Sequence, residues 1–556
     1  MATPGPGVAA WTRERWQDFG PPQSLLIISL IVGAFLRLWH LGSNPPGINQ
    51  DEAVTGYDAL SIWATGRDHH GNPFPFWVIE TFGDWSSPLL TFLMAPFVGV
   101  FGLEIVVVRF VTVLLGLIML VGVYGATREL TRSPWVAATA TAFAAISPWA
   151  VHYSRYALLP ITGMAFTMLA VWCQLWTMRT RSGPGLVASA ALIGATALSY
   201  HTMKLYVPLI MVVFVILFRQ PLLKIPRLSL LYGVLVGLFL AGPMLFMTLR
   251  DPAIGSRNNY LSITNLNDFG PRLLLENYWA YCSPAFLFSH GDGDATHTMP
   301  GYGMELRFIA PLLVIGLGFI LWRLLRPGLF LPDRRMAALL LALIVLAPLP
   351  GALTQFPAAN RSAVLSPLLA IVCGLAVLAI VFTVYRSLRM LSRSSRQLAV
   401  ALLLIIGLVP AGIETAKRYD YYFTGYPHDY SVTWGFHHGL LDAIGVADSM
   451  ADAYDVIWIA DANQPYIFLL WSQQADPSTI QNRLVDTNDN PVVYDVNEWG
   501  KYRFGDNYQS PPDSVPLDEL EVLYQSPHHG NEIFYEVRGG VTSDGERMLV
   551  VHSPNR

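Results

Sequence analysis

Long apolar runs, separated by short basic or polar segments, dominate the first three quarters of the chain. They occupy residues 23–41, 106–126, 134–150, 157–178, 185–200, 205–218, 228–249, 307–325, 336–354, 362–385 and 397–416. A bilayer core takes about 20 predominantly apolar residues per helix, with about 17–25 as the working range. The pattern therefore predicts a polytopic α-helical membrane protein of about eleven spans. A further run, residues 87–101 (SPLLTFLMAPFVGVF), is only 15 residues long and is broken by Pro88, Pro96 and Gly99. It reads as an interfacial helix.

This reading sets the orientation. The first run has a basic flank, Arg13 and Arg15, and no small-residue cleavage signature near Trp39-His40-Leu41. It is expected to be a retained signal anchor, with residues 1–22 cytoplasmic. With 87–101 at the interface, Arg128/Arg132, Arg179/Arg181, Arg219/Lys224/Arg227, Arg323/Arg326/Arg334/Arg335 and Arg386/Arg389/Arg393/Arg396 all face the cytoplasm. The positive-inside rule then holds at each inner loop of a multi-pass plasma (inner) membrane protein. The outer side receives the 64-residue segment 42–105, the 57-residue loop 250–306, the turns at 152–155, 200–204 and 360–361, and the tail. Connections that long are usually functional, so the site is expected there.

The tail, residues 417–556, has a different character. DVIWIAD (455–461) predicts a buried strand, PYIFLLWSQ (465–473) a helix, and EIFYEVR (532–538) and RMLVVHS (547–553) late strands. These predict a C-terminal extracytoplasmic α/β domain after a transmembrane domain at 23–416. Charge agrees with the division. The tail holds 21 acidic and 8 basic residues, net −13, and the remainder is +9 within an overall −4. With 53% hydrophobic and 13% charged residues a soluble protein is excluded. The tail's acidity argues against a nucleic-acid partner. Cys173, Cys282 and Cys373 offer no disulfide framework. The Gly/Pro-rich start MATPGPG is the only low-complexity segment, and no internal repeat is visible.

Two adjacent carboxylates, Asp51 and Glu52, follow the first span by about ten residues and open AVTGYDALSIW, whose Ala53, Tyr57, Leu60 and Trp63 suggest an amphipathic interfacial helix. Acidic residues at a helix start serve as caps. A carboxylate beside apolar helices also suits a general base acting on a hydroxyl. Four cations, Arg109, Arg155, Lys204 and Arg361, fall at outer ends of spans. Each alone reads as a snorkelling side chain; together with an acidic pair they compose a phosphate cradle. His152, Tyr153, His201, His290, Asp292, Asp294 and His297 are candidate substrate contacts in the outer turns. Asp292 and Asp294 with the two histidines could hold a divalent cation, but their spacing matches no zinc or calcium template. A Gly-rich polar turn is the preferred reading. His69-His70 and His437-His438 read as exposed polar residues.

NQDEAVTGYDAL after span one, SSPLLTFL, VRFVTVLLGLIMLVGVYGATREL, ISPWAVHYSRYALLP and QFPAANRSAVLSPLLAI, in that order, resemble the GT-C membrane glycosyltransferases. The likeness is to the protein O-mannosyltransferase-like glycosyltransferase family 39 and its bacterial relatives, including the lipid A aminoarabinose transferases, and it covers about residues 20–390. It implies the GT-C fold and inverting transfer of one sugar from a polyprenyl-phosphate sugar to a hydroxyl on protein Ser/Thr, a glycolipid or a glycan. It implies that Asp51 is the catalytic carboxylate, Glu52 its companion and Arg109 the arginine opening the second span. Lys204 stands where the aminoarabinose relatives place a lipid-phosphate lysine, although in HTMKLY rather than Lys-Gly. Their Lys-Pro late in the first loop is Ser87-Pro88 here, leaving Arg155 or Arg361 to substitute. The Trp-Trp-Asp of oligosaccharyltransferases is absent from the sequence, and the tail does not resemble a β-trefoil.

A phosphomonoester-linked donor leaves with less charge than a pyrophosphate, so no cofactor is required. The rival readings are a lipid-linked-sugar transporter or flippase, which would favour internal repeats and midplane polar groups, and a catalytically inactive membrane scaffold.

Overall fold

The computed structural model describes residues 21–250, 254, 270–460, 462–481, 496, 498–505, 517–526, 534–541 and 545–554. The expectations for the amino-terminal flank, for the start of the 250–306 loop and for the first residues of the 532–538 strand lie outside these. In chain order the longer helices are α1 (Pro22–Leu38), α2 (Gln50–Thr65), α3 (Leu89–Phe101), α4 (Ile105–Thr131), α5 (Pro134–Ile146), α6 (Pro148–Tyr153), α7 (Pro160–Thr180), α8 (Gly183–Ala197), α9 (Met203–Leu222) and α10 (Arg227–Arg250). They continue with α11 (Pro271–Cys282), α12 (Ala310–Leu325), α13 (Arg334–Leu346), α14 (Leu349–Ala352), α15 (Leu365–Ser387), α16 (Arg393–Asp420), α17 (Tyr430–Gly435), α18 (Leu440–Ser449), α19 (Pro465–Gln473) and α20 (Pro477–Ile480).

Each of the eleven apolar runs contains a helix, and the chain is a multi-pass membrane protein. Among the described residues eight helices are long and apolar enough to cross a bilayer, and α1, α3, α5 and α8 are shorter apolar helices. Two runs, 134–150 and 336–354, are each divided between two helices. Ser147-Pro148 divides 134–150 into α5 and α6, because Ser147 Oγ accepts from Ala150 N–H and starts a new helix with Pro at its first position. The third predicted helix likewise keeps its proline: α3 runs for 13 residues through Pro96.

Small residues set the bundle's close approaches. A Cβ added at Gly125 of α4 would stand 2.1 Å from Trp172 of α7, and one at Gly374 of α15 would stand 2.9 Å from the Ala140 backbone of α5. Helix association in lipid depends on such contacts rather than on water release.

The α/β character of the tail is present as a six-stranded sheet. Its strands, after a hairpin of β1 (Ile79–Thr81) and β2 (Asp84–Ser86), are β3 (Val456–Ile459), β4 (Glu498–Trp499), β5 (Tyr502–Phe504), β6 (Glu521–Gln525), β7 (Glu536–Val541) and β8 (Arg547–His552), in the order β4-β5-β3-β8-β7-β6. β3 is parallel to both β5 and β8, and the outer pairs are antiparallel. β3 and β8 fall on the predicted DVIWIAD and RMLVVHS, and α19 coincides with PYIFLLWSQ. Within the described part of the strand predicted over 532–538, β7 runs from Glu536. Helix α16 runs unbroken through position 416, and its extension carries Tyr422, whose carbonyl accepts from Asn44 Nδ2 at 2.7 Å.

Candidate functional site

Asp51 stands in the first turn of α2. Asn49, with extended backbone, caps that helix: its side-chain oxygen accepts the Asp51 N–H at 2.9 Å. Gly66, at φ +72°, ends it. Thr55 Oγ1 donates to the Asp51 carbonyl at 2.7 Å one turn on. Asp51 is partly exposed, whereas its neighbour Glu52 is fully enclosed. Asp51 lies within electrostatic reach of His297 and Tyr156.

Glu52 faces the opposite way and meets Arg109 of α4. Arg109 Nε donates to Oε1 at 2.8 Å and Nη2 to Oε2 at 2.9 Å. The remaining Arg109 donors go to the carbonyls of Leu41, Pro45 and Gly47 at 3.2, 2.8 and 2.8 Å. Glu52 Oε1 also accepts the Ala157 N–H at 3.0 Å. The pair is fully buried. All five guanidinium donors are therefore engaged by the protein, and both oxygens of Glu52 are taken. The expected roles shift accordingly: Arg109 and Glu52 hold the 41–52 segment rather than reach a substrate.

Arg155 does the same from another side. Its Nη1 donates to Leu36 O at 2.8 Å, and its Nη2 to His40 O and Asn44 O at 3.3 and 2.8 Å. The guanidinium lies 5.6 Å from the Tyr422 ring and 5.1 Å from Phe423. Enclosed at 0% exposure, it is a support for the chain leaving α1, not an outward-facing phosphate ligand. Arg37, missed by the sequence reading, joins this layer: it lies inside α1 and donates to Ser154 Oγ, Gly33 O and Ala145 O, each at 3.1 Å. An arginine inside an apolar run was the available signal, since such a charge is retained only with partners.

The loop at 290–298 is organised by Asp292. Its Oδ2 accepts from His297 Nδ1 at 2.8 Å and from Ala359 N–H at 2.7 Å. Its Oδ1 accepts from Asp294 N–H at 3.1 Å and Thr298 Oγ1 at 3.3 Å. Burial by itself would raise the Asp292 carboxyl, but the His297 bond and the backbone donors hold it below the ordinary value. Burial would likewise lower His297; Asp292, Asp294 and Asp51 outweigh it and raise the imidazole. His297 Nε2 lies 3.1 Å from Asn360 Nδ2, and its ring stands edge-on to Tyr153 at 6.4 Å between centroids. Asp294 is half exposed and closes a local turn with Thr296. His290 is exposed at the end of a helical turn, outside this cluster. Among the described residues no three His, Cys, Asp or Glu side chains gather as a metal set.

His152 is a support as well. It is buried, accepts from Tyr422 Oη at 3.1 Å and donates from Nε2 to Thr296 O at 2.7 Å, so it ties the 290–298 loop to the end of α16. Tyr153 is enclosed and lies within electrostatic reach of Asp292, Asp294 and Tyr200. Tyr200 leads into His201 and Lys204, at the start of α9, and α9 packs on α14, just before Arg361. Arg361 Nη1 donates to Thr354 Oγ1 at 2.6 Å and Phe356 O at 2.7 Å. Arg361, Tyr200 and Asp292 all act on Tyr281, whose hydroxyl accepts the Ala358 N–H at 3.0 Å. His297, Asp292, Tyr153 and the 359–361 turn thus adjoin one another, with Asp51 and Tyr200 within electrostatic reach of them.

The histidine pairs correct the sequence reading. His69 and His437 are buried rather than exposed, each paired to a side chain of another segment. A small recess walled by Glu305, Ser147 and Ser366 among apolar side chains does not include Asp51. Chemistry, rather than volume, locates the candidate site.

The fold is the GT-C fold seen in membrane glycosyltransferases. The sequence profile of the dolichyl-phosphate-mannose-protein mannosyltransferase family matches residues 86–246. Among solved structures, ArnT from Cupriavidus metallidurans bound to undecaprenyl phosphate is similar with a TM-score of 0.54 and 14% identity, covering 90% of this chain and 96% of that one. The oligosaccharyltransferase AglB from Archaeoglobus fulgidus, in complex with an inhibitory peptide and a dolichol-phosphate, is similar with a TM-score of 0.51 and 13% identity over 83% of this chain and 64% of that one. No match among curated protein sequences is found.

Proposed function

We propose that the protein is an inverting glycosyltransferase that moves one hexosyl or pentosyl unit from a polyprenyl-phosphate sugar to an acceptor hydroxyl at the outer face of the inner membrane. Asp51 takes the proton of the acceptor hydroxyl as its oxygen attacks the anomeric carbon. The bond from that carbon to the phosphate oxygen breaks, and polyprenyl phosphate leaves with the electron pair. Lys204 and Arg361 steady the leaving phosphate, because developing negative charge is stabilised by fixed cations in a water-poor site. His297, His201 and Tyr153 line the sugar. Glu52, Arg109 and Arg155 act on the backbone that presents Asp51. A phosphomonoester leaving group held by protein cations needs no metal.

The observation that carries this reading is that Asp51, at the start of α2, is partly exposed while its neighbour Glu52 is enclosed against Arg109. The undecaprenyl phosphate and dolichol-phosphate in the similar structures support the donor class. The proposed orientation keeps the amino terminus cytoplasmic and the carboxyl-terminal domain extracytoplasmic, which the basic loops support. Acceptors fitting the chemistry are protein Ser/Thr, a glycolipid or a glycan.

Purified protein in liposomes, incubated with labelled polyprenyl-phosphate sugars, tests the reading. Sugar release or transfer supports it. Movement of the intact lipid between leaflets without cleavage favours a flippase, and inertness toward every donor favours a scaffold.

A further inference from the structure

The helix that presents Asp51 is gripped at both ends by the carboxyl-terminal region, through side chains that the proposed reaction does not use. At the near end Ile48 N–H donates to Phe436 O at 2.7 Å and Asn49 Nδ2 to Gly435 O at 3.0 Å. At the far end Gln481 Nε2 contacts Ser61 Oγ at 3.0 Å and Thr65 Oγ1 at 2.7 Å, and Tyr57 Oη donates to Ala475 O at 2.8 Å.

Between these lies a buried relay. Asp58 is two helical turns beyond Asp51, about 10 Å along α2. It is 0% exposed, and its Oδ1 accepts from the His69 backbone N–H at 2.9 Å and from His69 Nδ1 at 2.7 Å. His69, also 0% exposed, reaches Tyr466 Oη of α19 from Nε2 at 3.2 Å. One chain of contacts thus joins the catalytic helix, the first outer segment and the α/β domain.

We propose that Asp58, His69 and Tyr466 are positioning residues through which the carboxyl-terminal domain holds α2 and sets the reach of Asp51 toward the acceptor. The inference rests on the role of Asp51 stated above. A displacement of about 1 Å at a reacting group costs about a hundredfold in rate, so a helix that only rotates slightly loses most of its activity.

The charges around His69 fit a fastened state at neutral pH. Asp58, Asp68 and Glu80 face it, with His70, Tyr57 and Tyr466 against its ring. Burial pulls the imidazole down, but the three carboxylates carry it above the ordinary value of 6.5. His70 is driven well below that value by burial and by the charge on His69, so one proton serves the pair. Burial and the neighbouring Asp58 push Asp68 up to about 6. A raised histidine keeps its ion pair below 6.5 and loses it as pH rises through the raised value. The relay therefore loosens on the alkaline side.

The test compares full-length wild type with Tyr466→Phe, His69→Gln and Asp58→Asn. Turnover of a labelled polyprenyl-phosphate sugar is followed against pH, together with deuterium exchange of residues 50–65. The expected result is an about tenfold fall in kcat with KM for the donor within twofold, faster exchange in α2, and no alkaline limb in His69→Gln. Tyr466→Phe keeps its ring and removes only the hydroxyl, so it tests the relay even where Asp58→Asn does not fold. Unchanged kcat and unchanged exchange in Tyr466→Phe and His69→Gln overturn the proposal. Exchange reads the brace independently of catalysis, so a failure of the Asp51 role, seen as full activity in Asp51→Asn, is distinguishable from a failure of the relay.

Discussion

Glu52 and Arg109 form an enclosed two-pronged ion pair, 2.8 and 2.9 Å across, one residue from the exposed edge of Asp51. Adjacent carboxylates on one helix thereby acquire opposite duties, because successive residues on a helix point about 100° apart. Removing one member of a buried pair leaves the other charge without its partner, at a cost of about 3–5 kcal/mol. Glu52→Ala and Arg109→Ala are each expected to lower the unfolding temperature in detergent and to abolish turnover. Glu52→Ala/Arg109→Ala should lose much less stability than the sum of the two. Thermal unfolding of the three variants checks this, and additive losses would contradict it.

Gly56 and Trp471 meet where α2 passes under α19. A Cβ at position 56 would stand 2.4 Å from the Trp471 ring. Gly56→Ala is expected to push the two elements apart and lower kcat at least tenfold, since volume added to a packed contact costs about 1–3 kcal/mol. Trp471→Leu in the same chain should restore part of the loss. Turnover measured for the single and double variants decides it.

Lys204 and Arg361 should show a different signature. Hydrogen bonds to a charged group contribute about 1.5–3 kcal/mol. Lys204→Ala and Arg361→Ala are therefore expected to raise KM for a polyprenyl-phosphate donor about 10- to 100-fold with little change in unfolding temperature. Arg155→Ala, by contrast, should lower the unfolding temperature, because its guanidinium holds the carbonyls of Leu36 and Asn44. Donor titrations and unfolding scans on the same preparations separate the two kinds of arginine.

The Asp292–His297 pair predicts a pH window for the docking of the 290–298 loop. His297 is raised, so its contribution is complete below 6.5 and is lost as pH rises through the raised value. Asp292 is lowered, so its contribution is present above 3.8 and is lost as pH falls through the lowered value. Protection of residues 290–298 from deuterium exchange, relative to the intrinsic rate at each pH, should be greatest between those limits, and Asp292→Asn should be weakly protected throughout. A flat profile in the wild type would contradict the pairing.

Most of the helical framework was legible because bilayer-length apolar runs admit few other structures. The α/β tail was legible in outline for a similar reason: DVIWIAD and RMLVVHS are short apolar runs bounded by turn residues, and they became the adjacent parallel strands β3 and β8. The candidate residues were legible in the sequence, but not the partners that hold them. Arg109, Arg155 and Arg361 look alike in sequence, and only the fold shows that two of them are enclosed among backbone carbonyls from segments up to 119 residues away. His69 was misread because its partner Asp58 belongs to a helix and its partner Tyr466 lies 397 positions along the chain. Spacing carries no trace of such a contact.

The central claim is that Asp51 removes the acceptor proton. A positioned general base contributes about 10²–10⁴-fold in rate. The direct measurement is single-turnover sugar transfer by Asp51→Asn in liposomes, with binding of the polyprenyl-phosphate sugar measured on the same protein. The account predicts wild-type affinity for the donor and transfer slowed at least a hundredfold; transfer at the wild-type rate would contradict it.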